Sequence, residues 1–336
     1  KMDWWDFNWN YRQEISIQDQ RGGNLTDYPV KINFNLTNFN YTKADANGSD
    51  IRFVDSDENN YEYWIEKWNA SGESRILLKI PNIPANGERK VRMYYGNPIA
   101  ESRSNGSTVF SLFEDCSGKN LTGKLISYSF GTAENTLVPD YGGSLKSTRN
   151  RELGLDGYAV MSRDIYFPGT SISYDQMVVK NENNLFDAMD ARILLVAPNY
   201  HPQAPVVENI YLSYSINFLT PVLQAGENNG DGNSLFENNS IGREWSSFRN
   251  LRLDVLDDTK VELYYKNEFQ AALTLNNSLE HGFYVIFGYY NATNTGLGNG
   301  HAYKFYLDNF NIRNHVSQEP MVHLGHTEKA NITTSL

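Results

Sequence analysis

Eleven asparagines of this 336-residue chain stand in the pattern Asn-X-Ser/Thr with no proline in the middle: Asn24, Asn35, Asn40, Asn47, Asn69, Asn105, Asn120, Asn238, Asn276, Asn291 and Asn331. This is the acceptor pattern for N-linked glycan, where the side-chain amide nitrogen takes the sugar. With 40 Asn and 43 Ser plus Thr, random placement gives about 5 such triplets. Asn and Thr both favour turns, which explains part of the excess. A twofold surplus, with several triplets in loop-like stretches such as NGS at 47–49 and 105–107, makes all eleven expected glycosylation sites. That expectation places the chain outside the cytoplasm.

Carboxylates are the second candidate chemistry. A retaining glycosidase needs two of them about 5–5.5 Å apart, and one strand supplies that when acids occupy positions i and i+2. The nearest approach is Asp254 with Asp257, Asp258 and Glu262, but Leu256 occupies the partner position and Asp257 and Asp258 fall in a turn. There is no G-x-S-x-G elbow, P-loop or H-E-x-x-H motif. The expectation is a chain that is not an enzyme. In ENNGDGN (227–233), Asn229, Asp231 and Asn233 alternate with residues that let a loop wrap a cation, so calcium is the candidate cofactor and a plain surface loop the competing reading. Trp245, beside Arg243 and Glu244, is the candidate for stacking on a ligand sugar.

The remaining composition excludes several classes. A net charge of -11 with no Lys/Arg cluster argues against nucleic acid. No apolar run reaches the roughly 20 residues of a membrane helix. Cys116 is the only cysteine, so no disulfide forms within the chain, and the six histidines are scattered. The opening KMDWWDFNWNYR lacks an apolar leader segment, which reads as a mature chain or a fragment of one.

Elements able to position such residues follow a period of two. Trp5, Phe7, Trp9, Tyr11, Ile15 and Ile17 share one parity, with a break near Gln13, and the alternation recurs in Ile76-Leu78-Ile80, Leu251-Leu253-Val255 and Phe283-Val285-Phe287. Phe305 and Leu307 are followed by Phe310 and Ile312 in the other parity, which predicts a bulge between them. Turn signals such as DSDENN (55–60) and PANGE (84–88) separate the runs. LFDAMDARILL (185–195) fits a short helix or a turn entering a strand, and the strand is preferred. The fold expected is all-β, two antiparallel β-sandwich modules: residues 1–107, residues 108–326, and a tail or linker at 327–336.

Specific blocks add a resemblance. W-x-YR-x-x-I-x-I (Trp9 to Ile17), YPV (28–30), GSDIRFVDSD (48–57), YWIEKW (63–68), KIPNIPA (79–85) and MYYGNP (93–98) make the first module resemble the family called domain of unknown function 2341, common in archaeal and bacterial surface proteins. Glu58 stands where that family's turn has glycine. VFSLFED (109–115) and FYLDNFNIRNHVSQEPMVHLG (305–325) make the remainder similar to a concanavalin-like (laminin G or glucanase-type) jelly roll. The resemblance implies a cell-surface module with an adhesive, glycan-binding or structural role, its partners being glycans or other surface proteins. Two alternatives stand beside it: a self-assembling filament or layer subunit using the stretch EKANITTSL (328–336), and a glycoside hydrolase on the jelly roll. The scarcity of Cys and abundance of Asn, Tyr and Ile point to an archaeal source.

Overall fold

The computed structural model describes residues 4–130, 134–138, 144–148, 157–179, 189–198, 209–217, 220–228, 234–238, 240–241, 247–290 and 304–330. Their strands are β1 (Tyr11–Gln18), β2 (Leu25–Phe34), β3 (Arg52–Val54), β4 (Tyr63–Lys67), β5 (Ser74–Ile83), β6 (Glu88–Tyr95), β7 (Leu112–Glu114), β8 (Leu125–Phe130), β9 (Glu134–Val138), β10 (Ser144–Thr148) and β11 (Gly157–Ser162). Next come β12 (Thr170–Val179), β13 (Met189–Val196), β14 (Asn209–Asn217), β15 (Thr220–Asn228), β16 (Ser234–Asn238), β17 (Arg249–Val255), β18 (Lys260–Tyr265), β19 (Glu268–Thr274), β20 (Tyr284–Tyr290), β21 (Lys304–Asn314) and β22 (Met321–Lys329). The fold is all-β and antiparallel, as the alternation predicts, and the ARILLV stretch is strand β13.

The chain forms two units, Lys1–Ser111 with Val316–Leu336, and Leu112–His315. In the first, a sheet of order β22-β1-β6-β3 faces one of order β2-β5-β4. Ile15, Ile17, Val30, Ile32, Phe53, Ile76, Leu78, Val91 and Met93 form its core, each 1% exposed or less. Part of the polar interior of this unit comes from the blocks noted above. Asp50, fully buried, accepts from the backbone N–H of Asp45 at 3.0 Å, Gly96 at 2.5 Å and Asn97 at 3.1 Å. Trp9 Nε1 donates to the Asp50 carbonyl at 2.6 Å. Gly96 is required: its φ is +87°, and a Cβ there would lie 2.6 Å from the Tyr11 ring.

Two sequence expectations are corrected here. Residues 316–329 belong to the first unit, not to a jelly roll ending at 326 with a tail beyond. β22 pairs with β1, Arg12 opposite Glu328 and Ile17 opposite Val322, and its partly buried Val322 and Leu324 pack on the first core. The physical reason is the unpaired edge of β1, whose backbone groups need partners. Arg12 Nε donates to Glu328 at 2.7 Å across that seam. Glu328 and Lys329, the start of the stretch read as a linker or intersubunit strand, are therefore taken up by the chain's own sheet. Secondly, the register shift between Gln13 and Ile15 lies in the pairing with β22, and the strand itself begins only at Tyr11.

The second unit is a sandwich of two sheets, β19-β18-β17-β12-β21-β10-β9 with β7 on β21, and β16-β15-β14-β13-β20-β11-β8. Between them lie Ile172, Tyr174, Ile193, Leu212, Leu251, Leu253, Val285, Phe287, Leu307, Phe310 and Ile312. Burial of such side chains at roughly 25 cal/mol per Å² drives the two layers together.

Candidate functional site

Because Leu251, Leu253 and Val255 of β17 enter this core, Asn250, Arg252 and Asp254 stand on the opposite, outer face of the eight-stranded sheet. Antiparallel register extends that face sideways in three rows. Phe269, Tyr264, Arg252, Ser173 and Asn311 are successive partners across β19, β18, β17, β12 and β21. Glu262, Asp254, Ser171 and Arg313 form the second row, and Asn250, Asp175 and Asp308 the third. Four strand intervals of about 4.8 Å make the first row roughly 19 Å long.

One end of the face is aromatic. The Arg252 guanidinium lies 3.6 Å from the Tyr264 ring centroid, and Tyr264 meets Phe269 edge-on at 5.7 Å. Phe269 is 57% exposed, although it is a large apolar side chain. The Tyr264 hydroxyl donates to Glu262 at 2.7 Å, and burial with that carboxylate and Asp254 nearby pushes its pKa up to about 12.

The centre is a carboxylate–amide lattice. Asp254, 3% exposed, accepts from Ser171 Oγ at 2.5 Å, while Arg252 Nε lies 3.3 Å and His315 Nδ1 3.6 Å from its Oδ2. Burial works against its charge, but His315, Arg252 and the Ser171 hydroxyl outweigh it and hold the carboxyl below the usual range. Asn250 Nδ2 donates to Ser173 Oγ at 2.8 Å and to Asp175 Oδ1 at 2.9 Å. Asn309 Nδ2 donates to the other Asp175 oxygen at 2.9 Å.

Asn309 reaches Asp175 because β21 bulges there. The register shifts between Ser173 and Asp175, and Asn309 has φ +52°, a left-handed conformation that Asn tolerates. The sequence break between Leu307 and Phe310 predicts this bulge. Beside it, Asp308 is the register partner of Asp175. Burial is the main force pushing Asp308 up to about 7, opposed by the Asn309 N–H and aided by Asp175, Asp115 and Glu114. Two carboxyls thus meet on one outer face, from strands 133 positions apart (308 minus 175).

The residues singled out in sequence fare differently. Asn229, Asp231, Asn233 and Trp245 lie outside the described residues, as do Asn291 and Asn331. Asn24, Asn40, Asn47, Asn69, Asn105, Asn120 and Asn276 are exposed, and Asn35 and Asn238 half-buried. Asp257 takes the Thr259 N–H at 2.9 Å in the turn before β18, as its position suggests. Asp254 and Glu262, considered within one run, are cross-strand partners. Sequence reasoning missed Asp175, Asn250, Tyr264, Phe269, Asp308 and Asn309; the bulge signal in LDNFNI marks Asp308 and Asn309 alone, since bulges concentrate near active sites. Among the described residues no group of three or more His, Cys, Asp or Glu is placed to hold a metal ion. Among them also, no helix is long and apolar enough to cross a membrane.

Comparison with known proteins agrees with this architecture. Residues 47–125 match the family described as domain of unknown function (DUF2341). No curated protein matches the chain. Similar solved structures include an endo-β-1,4-glucuronan lyase from the fungus Trichoderma reesei (11% identity, TM-score 0.45, covering 63% of this chain and 98% of that one). The Emp47p carbohydrate recognition domain is another (12%, 0.44, 61% and 95%). A third is a glycoside hydrolase family 16 endo-glucanase from Bacteroides ovatus (12%, 0.42, 60% and 99%). At these identities the likeness is one of fold alone. The expectation of a non-enzymatic chain does not stand, since the similar structures include a lyase and a hydrolase.

Proposed function

We propose that the second unit binds carbohydrate on the outer face of its eight-stranded sheet, in a protein working outside the cell. The observation that carries this reading is the row from Phe269 through Tyr264 and Arg252 to Ser173 and Asn311. A sugar ring has an apolar C–H face and a rim of hydroxyls. The exposed Phe269 ring, with the half-buried Tyr264 beside it, takes the first, and Arg, Asn and carboxylate groups held at fixed spacing take the second. A row roughly 19 Å long suits an oligosaccharide rather than a single sugar.

The test is a glycan array followed by calorimetry with the full chain and with Phe269→Ala. Phe269 contributes little to the core, so the variant keeps its fold and loses binding at least tenfold. Equal affinity in the two proteins removes this face from consideration.

A second reading, cleavage of the bound carbohydrate, is favoured by Asp308 beside Asp175. A carboxyl raised to about 7 by burial is about half protonated at neutral pH and can deliver that proton to a leaving oxygen, with the Asp175 carboxyl beside it as its partner. On this reading Asp308→Asn abolishes turnover of the array-positive oligosaccharide and leaves its binding intact. Reducing-end or unsaturated-product assays at pH 5–8 decide it; absence of any product with wild-type protein sinks the second reading and not the first.

A further inference from the structure

The acceptor triplets are not equivalent once folded. β2 ends at Phe34 opposite Ser74, the first residue of β5, so Asn35 leaves the sheet at that end. Tyr41 donates to Ser74 Oγ at 2.9 Å, and the same oxygen accepts the Asn69 N–H at 2.8 Å, which brings Asn40 and Asn69 to the same end. Gly48 lies against Trp68, where a Cβ would come within 2.8 Å of the ring, and Trp68 meets Phe39 at 5.9 Å and Tyr41 at 5.3 Å. Asn35, Asn40, Asn47 and Asn69 therefore hang from one aromatic knot at one end of the first unit.

Three of the four amides, those of Asn35, Asn40 and Asn69, are also set alike. Asn35 Oδ1 accepts from Thr37 N at 2.9 Å and Thr37 Oγ1 at 2.6 Å. Asn40 Oδ1 accepts from Thr42 N at 3.1 Å and Thr42 Oγ1 at 2.7 Å, and Asn69 Oδ1 from Ser71 N at 3.1 Å. Tying the oxygen to the triplet's own third residue turns Nδ2 the other way. No described residue accepts a hydrogen bond from the Nδ2 of Asn35, Asn40, Asn47 or Asn69. In the second unit Nδ2 is engaged, although Asn238 Oδ1 also accepts the N–H of its own third residue, Ser240, at 2.9 Å. Asn276 Nδ2 donates at 2.8 Å to Glu227, which is 4% exposed and also accepts the backbone N–H of Asn276 and Asn277. Asn238 Nδ2 donates to Gln270 Oε1 at 3.2 Å.

We infer that Asn35, Asn40, Asn47 and Asn69 form a carbohydrate-bearing cap on the first unit, and that folded Asn238 and Asn276 are refractory to the same modification. In the transfer, Nδ2 attacks the anomeric carbon of a lipid-pyrophosphate-linked oligosaccharide. The C–N bond forms, the C–O bond to the pyrophosphate breaks and leaves with its electron pair, and one amide proton passes to a base on the transferase. At Asn276 this attack requires giving up a charge-assisted bond to a buried carboxylate.

The inference in the living cell rests on the extracellular reading, so the experiment separates the two. Folded full-length protein is incubated with an oligosaccharyltransferase and the lipid-linked donor, and glycopeptides are followed by mass spectrometry against the same triplets as unfolded proteolytic peptides. All the peptides are modified, whereas in the folded chain Asn276 and Asn238 react at least tenfold more slowly than the four cap residues. Gln270→Ala, on the edge strand β19, raises the Asn238 rate to theirs. Equal rates at Asn276 and the cap, or a cap as slow as Asn276, overturns the assignment. In protein from its natural source the four cap sites carry glycan; a bare cap there, with the in vitro rates as expected, removes the extracellular reading alone.

Discussion

Asp50 and Asp254 are both buried acids, one in each unit, and they are satisfied in opposite ways. Asp50 takes three backbone N–H groups, from Asp45, Gly96 and Asn97, and so fastens loops that have no sheet partner of their own. Asp254 takes a hydroxyl from the neighbouring strand and lies beside Arg252 and His315, all side chains on one sheet face. Removing the first acid opens the chain's own path. Removing the second alters a surface whose backbone is already held by its ladder. Buried polarity in the first unit fastens loops, and in the second it links side chains of neighbouring strands.

The largest expected effect tests the seam of the first unit. Ending the chain at residue 315 removes β22 and exposes the edge of β1. Losing the Val322 and Leu324 contacts and the ladder destabilises that unit by about 4 kcal/mol or more. Urea titration read by near-ultraviolet circular dichroism reports this through the aromatic knot; an unshifted midpoint would show that β22 is dispensable.

Asp50→Ala comes next, at about 3 kcal/mol, since it strands several buried N–H groups. Asp254→Ala is the matched control and loses less in the same titration. Equal losses would erase the distinction drawn between the two acids.

Asp308→Asn sharpens the comparison through pH. The folded pKa lies above the usual value near 3.8, so the native state holds a proton that the unfolded chain releases. Stability therefore falls as pH rises from about 4 to about 7. Asn removes that penalty, and the variant gains about 2 kcal/mol at pH 8, below the full conversion of the shift because the carboxyl keeps some contact with solvent. At pH 4 the two proteins unfold together. A gain that does not vary with pH would mean burial is not the cause.

The smallest effect is local. Glu58 has φ +69°, the left-handed conformation, in the turn where Asp55 accepts the N–H of Asp57 and Asn59. Glu58→Gly relieves it and stabilises by about 0.5–1 kcal/mol, partly offset by the greater freedom of unfolded glycine. Differential scanning calorimetry resolves a rise of that size, and a fall would contradict the strain.

Local readings transferred well because their physics is local. The bulge before Phe310 was legible from a change of parity, and the strand at ARILLV from its β-branched and apolar run. The departure from glycine at Glu58 was visible too, though only the backbone gives its consequence. The candidate face was not legible. Asp175 and Asp308 look like isolated acids in polar alternation until register sets them opposite each other, and Phe269 looks like one more core aromatic until its strand turns out to be an edge. Acids at i and i+2 along one strand do not reveal the pair either, since it forms between strands.

The sequence alone determined that side chains alternate across pleated layers, that turns fall at its Gly, Asn and Asp clusters, and where asparagine acceptors stand. These follow from period-two geometry and from steric limits on single residues. Only the tertiary structure decided that residues 316–329 return to the first unit, which acids share a face, and which asparagine amides are already bonded. Such outcomes depend on hydrogen-bond register between distant segments, and a shift of one residue in register would send every side chain of a strand to the other side.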